Sequence, residues 1–279
     1  MNRLTTERRG QVVSCLVEGM SIRGTVRVTG VAKNTISKLL LDLGDACADY
    51  QNRTLRNLSC ARFECDEIWS FIGAKEAHVM EDHPSDYGDV WTWTAIDAET
   101  KLVPSWLVDE RTARDCYTFL YDLRSRLRPG RIQITTDGLQ SYLQVIEPLF
   151  GADRVDFAQL VKMYENVDDE RRYSPAHCSG IDKRTITGRP DPALISTSYV
   201  ERQNLTMRMG MRRFTRLTNA FSKKVENHAA AVSLHFMHYN FGRPHQTLTK
   251  RYGRKTTPAM AAGIARSPWS TSQIAQLLD

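Results

Sequence analysis

Between residues 62 and 150 the hydrophobic period of this chain changes in a fixed order, and few folds accommodate that order. RFECDEIWSFIG, opening at Arg62, alternates Phe63, Cys65, Glu67 and Trp69 against Glu64, Asp66, Ile68 and Ser70, the two-residue period of a strand. DVWTWTAIDAET (89–100) and KLVPSWLVDE (101–110) are rich in aromatic and β-branched residues and are expected as second and third strands. TARDCYTFLYDLRSRLR (112–128) turns Cys116, Phe119, Leu120, Leu123 and Leu127 to one side at helical spacing. After a Pro-Gly stop, RIQITTDG (131–138) is a fourth strand and SYLQVIEPLF (141–150) a helix.

Strand, strand, strand, helix, strand, helix is the order of an RNase H-like fold, an α/β structure with a mixed five-stranded sheet flanked by helices. In that topology the first and fourth strands are neighbours. Asp66, inside the first strand, and Asp137, at the end of the fourth, then converge at one edge. Carboxylates so crowded repel one another unless cations lie between them. Each also has a plainer reading: Asp66 as a strand charge, and Asp137-Gly138 as a tight turn with glycine at positive φ. Glu67 follows Asp66 directly, points to the opposite face by alternation, and is left out of the site.

A third carboxylate opens SYVERQNLTMRMGMRRF. Ser198 and Glu201 have the spacing of a capping box, which gives Glu201 a structural alternative. Against that role, Glu201, Asn204, Leu205 and Arg208 fall on one helical stripe.

The net charge of +6 is unevenly spread. Residues 46–201 hold 18 Lys/Arg against 26 Asp/Glu, whereas residues 202–255 hold twelve against one. An acidic centre followed by a basic segment suits a metal-binding core beside a polyanion-binding surface. Arg208, Arg212, Arg213, Arg216, Lys223 and Lys224 are the candidate phosphate contacts within it.

Upstream, three short helical patterns are separated by glycines at 19 and 30. The last, VAKNTISKLLLDLG, puts Val31, Ile36, Leu39, Leu40 and Leu43 inward and leaves Lys33, Asn34, Thr35 and Lys38 for base edges and phosphates. This all-α module resembles the resolvase- and transposase-type helix-turn-helix. The expected division is a helix-turn-helix module at 1–45, a connector at 46–61, a catalytic core at 62–250 and a helical tail at 251–279. An insertion-like stretch at 160–196, with DDERR and GRPDP, is expected as a surface excursion, a strand pair touching DNA.

CDEIWSFIGAK, ITTDGLQSY and the block from TSYVERQNLTMRMGMRRF to HFMHYN resemble, in order, the three catalytic blocks of insertion-sequence-one-type transposases. Those belong to the DDE transposase and retroviral-integrase group. The Glu201–Arg208 spacing is similar to that group's E-x6-K/R signature, and YNFGRPHQTL with TTPAMAAG is similar to its common ending. The zinc ribbon that often precedes the helix-turn-helix in such proteins is missing. The resemblance implies cleavage at element ends and strand transfer into target DNA. It implies two Mg²⁺ per active site, with Mn²⁺ as substitute, held by Asp66, Asp137 and Glu201. Double-stranded DNA and a homo-oligomer assembled on it are the partners implied. Asn240 and His245 are further candidates, with buried hydrogen-bonding as their alternative.

Rival readings are an RNase H-like nuclease that never joins ends, a domesticated DNA-binding regulator, and a zinc-dependent regulator built on Cys60 and Cys65. The six cysteines form no CxxC pair and are expected as reduced core thiols. No apolar run approaches the ~18–20 residues of a membrane span, and the charged N-terminus has no signal-peptide core. A cytoplasmic protein, nucleoid-associated when DNA-bound, is the expectation.

Overall fold

The computed structural model describes residues 4–165, 177–215 and 219–279. Three helices come first: α1 (Thr6–Val17), α2 (Ile22–Thr29) and α3 (Lys33–Thr54). Ser21 accepts from the Gly24 amide to start α2, and Gly30 ends it at φ 67, a left-handed conformation that costs glycine little. Val12, Val31, Ile36 and Leu39 form the small core under these helices. The last helix runs to Thr54, well into the segment expected as a connector. Its second half buries Cys47 and Gln51 against the C-terminal helices.

The sheet follows as β1 (Arg62–Ile72), β2 (Gly88–Asp97) and β3 (Ser105–Asp109), helix α4 (Ala113–Arg126), β4 (Ile132–Thr136), helix α5 (Gln140–Phe150), β5 (Val155–Glu165) and β6 (His177–Thr187). Its order is β3-β2-β1-β4-β5-β6. β1 pairs antiparallel with β2 and parallel with β4, so the first and fourth strands are neighbours as the sequence order requires.

Two expectations are corrected. Among the described residues the sheet has six strands rather than five, because β6 pairs antiparallel with β5 on its far edge. The strand pair expected at 160–196 forms, but within the main sheet rather than as a surface excursion throughout. The first residues of that stretch complete β5, where Leu160 is buried, and residues 177–187 form β6. DDERR lies outside the described residues.

After β6 come α6 (Ser198–Gly210), α7 (Val225–Met237), α8 (Gln246–Tyr252), α9 (Pro258–Ala261) and α10 (Thr271–Ala275). The sheet separates two apolar layers. Phe63, Cys65, Trp93 and Ile134 pack with Phe119, Leu123, Tyr142 and Ile146 of α4 and α5. On the other face Ile68 and Ile96 pack with Val200 and Met207 of α6 and Val232 and Phe236 of α7. Truncating a fully buried aromatic such as Trp93 to alanine costs about 3–5 kcal/mol, so this layering fixes the strand ends that follow. The tail closes back on the start of the chain. Arg9 pairs with Asp279 at 2.5 Å and donates to the Ala275 carbonyl at 3.0 Å, and Ser14 shares a hydrogen bond with Thr271.

Candidate active site

The site exists because one strand is short. β4 has five residues and stands between β1 and β5, which have eleven each. The β1–β4 register pairs Cys65 with Thr136, so the next step brings Asp66 level with Asp137, where β4 has ended. The β4–β5 register pairs Thr136 with Gln159, so Leu160, Val161 and Lys162 likewise run past that end. The notch is a cleft of about 740 Å³, and α6 closes one side of it with Thr197, Glu201, Asn204 and Arg208. Gly138 does not take the positive φ of the tight turn considered above.

Asp66 accepts from the Glu67 amide at 2.9 Å and from Asn204 Nδ2 at 2.8 Å. Asp137 accepts from the Leu139 amide at 3.0 Å and lies 3.9 Å from the Arg111 guanidinium. Glu67 belongs in the site, which corrects its exclusion. Its side chain does leave the other face of β1, toward α4 and α5, but its extra methylene reaches the notch. Carboxylate oxygens of Asp66, Glu67 and Asp137 lie within 4.8 Å of one another. Burial, and next the Asp137 charge, push Asp66 up to about 7 and Glu67 up to about 8. Arg111 answers part of this charge. It sits 3.0 Å from Glu67 and 4.4 Å over the Trp91 ring.

Glu201 lines the same cleft, but both of its oxygens accept from Lys162 Nζ at 2.6 Å, and one also accepts from Thr197 Oγ1 at 2.5 Å. The capping box does not form: Thr197, not Ser198, is the N-cap, and it makes no side-chain cap bond. Glu64 of β1 supplies the cap instead. Its Oε2 accepts from the amides of Tyr199 and Val200 at 2.7 and 3.2 Å. Glu64 and Asp66 share one face of one strand, so a single strand sets both the first carboxylate and the start of the helix that carries Glu201.

Other candidates separate. Lys33, Asn34, Thr35 and Lys38 are exposed at the start of α3, with Lys38 paired to Asp42 at 2.9 Å. Arg208, Arg212, Lys223 and Lys224 are exposed. Arg213 turns inward, donating to Ser222 Oγ at 2.9 Å and the Asn227 carbonyl at 2.7 Å, and burial lowers it to about 10. Its guanidinium is tied inside the fold rather than displayed with the exposed cations around it. Arg216 lies outside the described residues. Asn240 is buried and bonded to Val103 and Gln51, and His245 is the N-cap residue of α8. Cys65 is buried in the core, and burial pushes the Cys60 thiol up to about 12.

Arg111 and Lys162 line the cleft and pair with its carboxylates, and neither was a candidate from the sequence. One stands just before the Thr112 N-cap of α4, the other in the stretch expected as an excursion.

Residues 88–177 match the family model of a DDE domain, in its IS240 transposase form. The middle of this chain resembles a transposase DDE domain. The match covers about a third of the chain, from the start of β2 to the start of β6. Asp137, Arg111 and Lys162 fall inside it; Asp66 and Glu201 fall outside. The DDE group is what this match and the sequence resemblance share, the matched form being IS240 rather than insertion-sequence-one. No curated protein matches the chain. Among solved structures, the chain is similar to a piggyBac transposase synaptic complex with hairpin DNA at 12% identity and TM-score 0.42, over 94% of this chain and 70% of that one. It is similar to a pre-cleavage Mos1 transpososome at 12% identity and TM-score 0.21, over 51% and 55%. A Mos1 paired-end complex with Mn gives 14% identity and TM-score 0.23, over 53% and 59%. The chain thus spans little more than half of the Mos1 protein. With TM-scores below 0.5, the fold reading rests on the strand order itself.

Proposed function

We propose that the protein is a DNA transposase that cleaves phosphodiester bonds at the ends of a mobile element and joins those ends to target DNA. The observation that carries this is the notch beside β4, where Asp66, Glu67 and Asp137 crowd together with Glu201 across the cleft. The DDE-domain match to the surrounding segment supports it.

The donors suit a hard divalent cation such as Mg²⁺ or Mn²⁺. All are carboxylate oxygens, and Glu67 Oε1 is buried without a hydrogen-bond partner. Asp66 and Asp137 would hold the cations, with Glu201 and Glu67 completing the shell. Two bound cations supply activation of the attacking hydroxyl and stabilisation of the leaving oxygen in phosphoryl transfer. The remaining roles fall to the chain. Asn204 orients Asp66 through their 2.8 Å bond, and Glu64 fixes α6 so that Glu201 faces the cleft. Arg208, on the cleft wall, is placed to grip a phosphate next to the scissile bond. Arg111 holds Glu67 toward Asp137.

Residues 1–45 act in this reading as the DNA reader, with the exposed Lys33, Asn34, Thr35 and Lys38 at the start of α3 entering the major groove. Residues 62–250 form the catalytic core, and a homo-oligomer assembles on two element ends. Terminal-repeat duplexes from the DNA flanking the coding sequence test this. With Mg²⁺ the protein should nick a labelled end and join it to a plasmid, while Asp137→Asn should lose ~10²-fold or more of both and still bind the duplex. Nicking without joining would make the protein a nuclease; full activity in the variant would refute the site.

A further inference from the structure

A second concave surface lies away from the carboxylates, where α1, α2 and the start of α3 meet the chain that links α6 to α7. It is a groove of about 910 Å³. Arg23 of α2 and Lys33 of α3 stand on one wall; Arg212 and Lys223, from the α6–α7 link, stand on the other. All four are exposed, and among the described residues none of them forms an ion pair. Among the described residues, no Asp or Glu lines the groove. The floor is apolar, built from Leu16, Ile22, Met211 and Phe221.

Unpaired cations facing one another across a groove repel, and a polyanion removes that repulsion while releasing its own counterions. The walls also approach each other closely. Gly19, at φ 79, brings the α1–α2 turn so close to the end of α6 that an added Cβ would lie 3.0 Å from the Gly210 carbonyl oxygen. The backbone segments that carry the four charges thus approach closely beside the groove, and Arg213, although it lines the groove, has its guanidinium tied to Ser222 and Asn227.

We infer that this groove seats the phosphate backbone of duplex DNA, so that one duplex is gripped by the N-terminal helices and the catalytic core together. The inference rests on the DNA-processing reading above and adds to it a place where the reader and the core share one substrate. It explains why cations from segments some 190 residues apart in sequence face one groove.

The experiment uses the full chain and a labelled duplex of arbitrary sequence, titrated by fluorescence anisotropy over a series of KCl concentrations. Each lost phosphate contact lowers the slope of log K against log[salt] by ~0.9. Arg23→Gln with Lys33→Gln, and separately Arg212→Gln with Lys223→Gln, should each lower it by ~1.8, and all four together by ~3.6. The exposed pair Arg124 and Arg128, near the far end of α4, changed to Gln, should leave the slope unaltered. An unchanged slope in the fourfold variant overturns the inference and leaves the transposase reading standing, as does an equal fall in the Arg124/Arg128 variant. An effect seen only with single-stranded DNA overturns the duplex as occupant. Wild-type protein that binds no duplex at any salt overturns the inference together with the reading beneath it.

Discussion

Lys162 Nζ lies 2.6 Å from both carboxylate oxygens of Glu201. Glu201 is thereby neutralised by β5 before any cation reaches the cleft, and a cation must displace Lys162 to use that carboxylate. The pair is partly exposed, so it is worth at most about 1 kcal/mol. Lys162→Met should therefore tighten Mn²⁺ binding about two- to fivefold, as read by calorimetry. Unchanged or weaker binding would mean that Glu201 is no part of the metal shell.

Glu64 links the first carboxylate strand to the helix of the third. Removing its acceptor leaves two amides at the start of α6 unsatisfied, a loss of about 1–2 kcal/mol. Glu64→Ala should show that loss in urea unfolding and should also slow end cleavage with little change in the affinity for DNA. Cleavage at the wild-type rate in a destabilised variant would reduce Glu64 to a stabilising cap.

His228 gives a pH dependence. Its ring nitrogens sit 3.2 Å from Ser70 Oγ and 3.2 Å from Ser222 Oγ, and burial, followed by the Arg213 charge, lowers it to about 3. The unfolded chain takes up this proton near pH 6.5 and the folded chain refuses it. Stability from this group is thus complete above pH 6.5 and lost as pH falls toward 3, with a slope of up to about 1.4 kcal/mol per pH unit. His228→Gln should flatten the stability profile between pH 6.5 and 5 by close to one proton. The same slope in wild type and variant would assign the acid sensitivity elsewhere.

Asp66 and Asp137 were legible from strand order alone, because a parallel β1–β4 register leaves them only one place to meet. Glu67 was not. Alternation correctly sends it to the other face, but strand period says nothing of how far a glutamate reaches around a strand end. The cap of α6 was illegible for a different reason. Ser198 offered a local motif, whereas the actual acceptor is Glu64, 135 residues away from Tyr199. Local spacing cannot report a long-range hydrogen bond. Arg212 and Arg213 make the same point at short range: adjacent and identical in type, one faces solvent and the other is tied inside. The excursion expected at 160–196 hid Lys162, since its first residues continue a strand whose partner β4 stops early.

Locating Mn²⁺ in crystals by anomalous scattering tests the central claim most directly. The metal should lie between the carboxylates of Asp66 and Asp137, within reach of Glu67, and Lys162 should have moved off Glu201 where a second ion binds. A crystal soaked in Mn²⁺ that holds no ion between Asp66 and Asp137, with Arg111 still seated on Glu67, would contradict the reading of this notch as the catalytic centre.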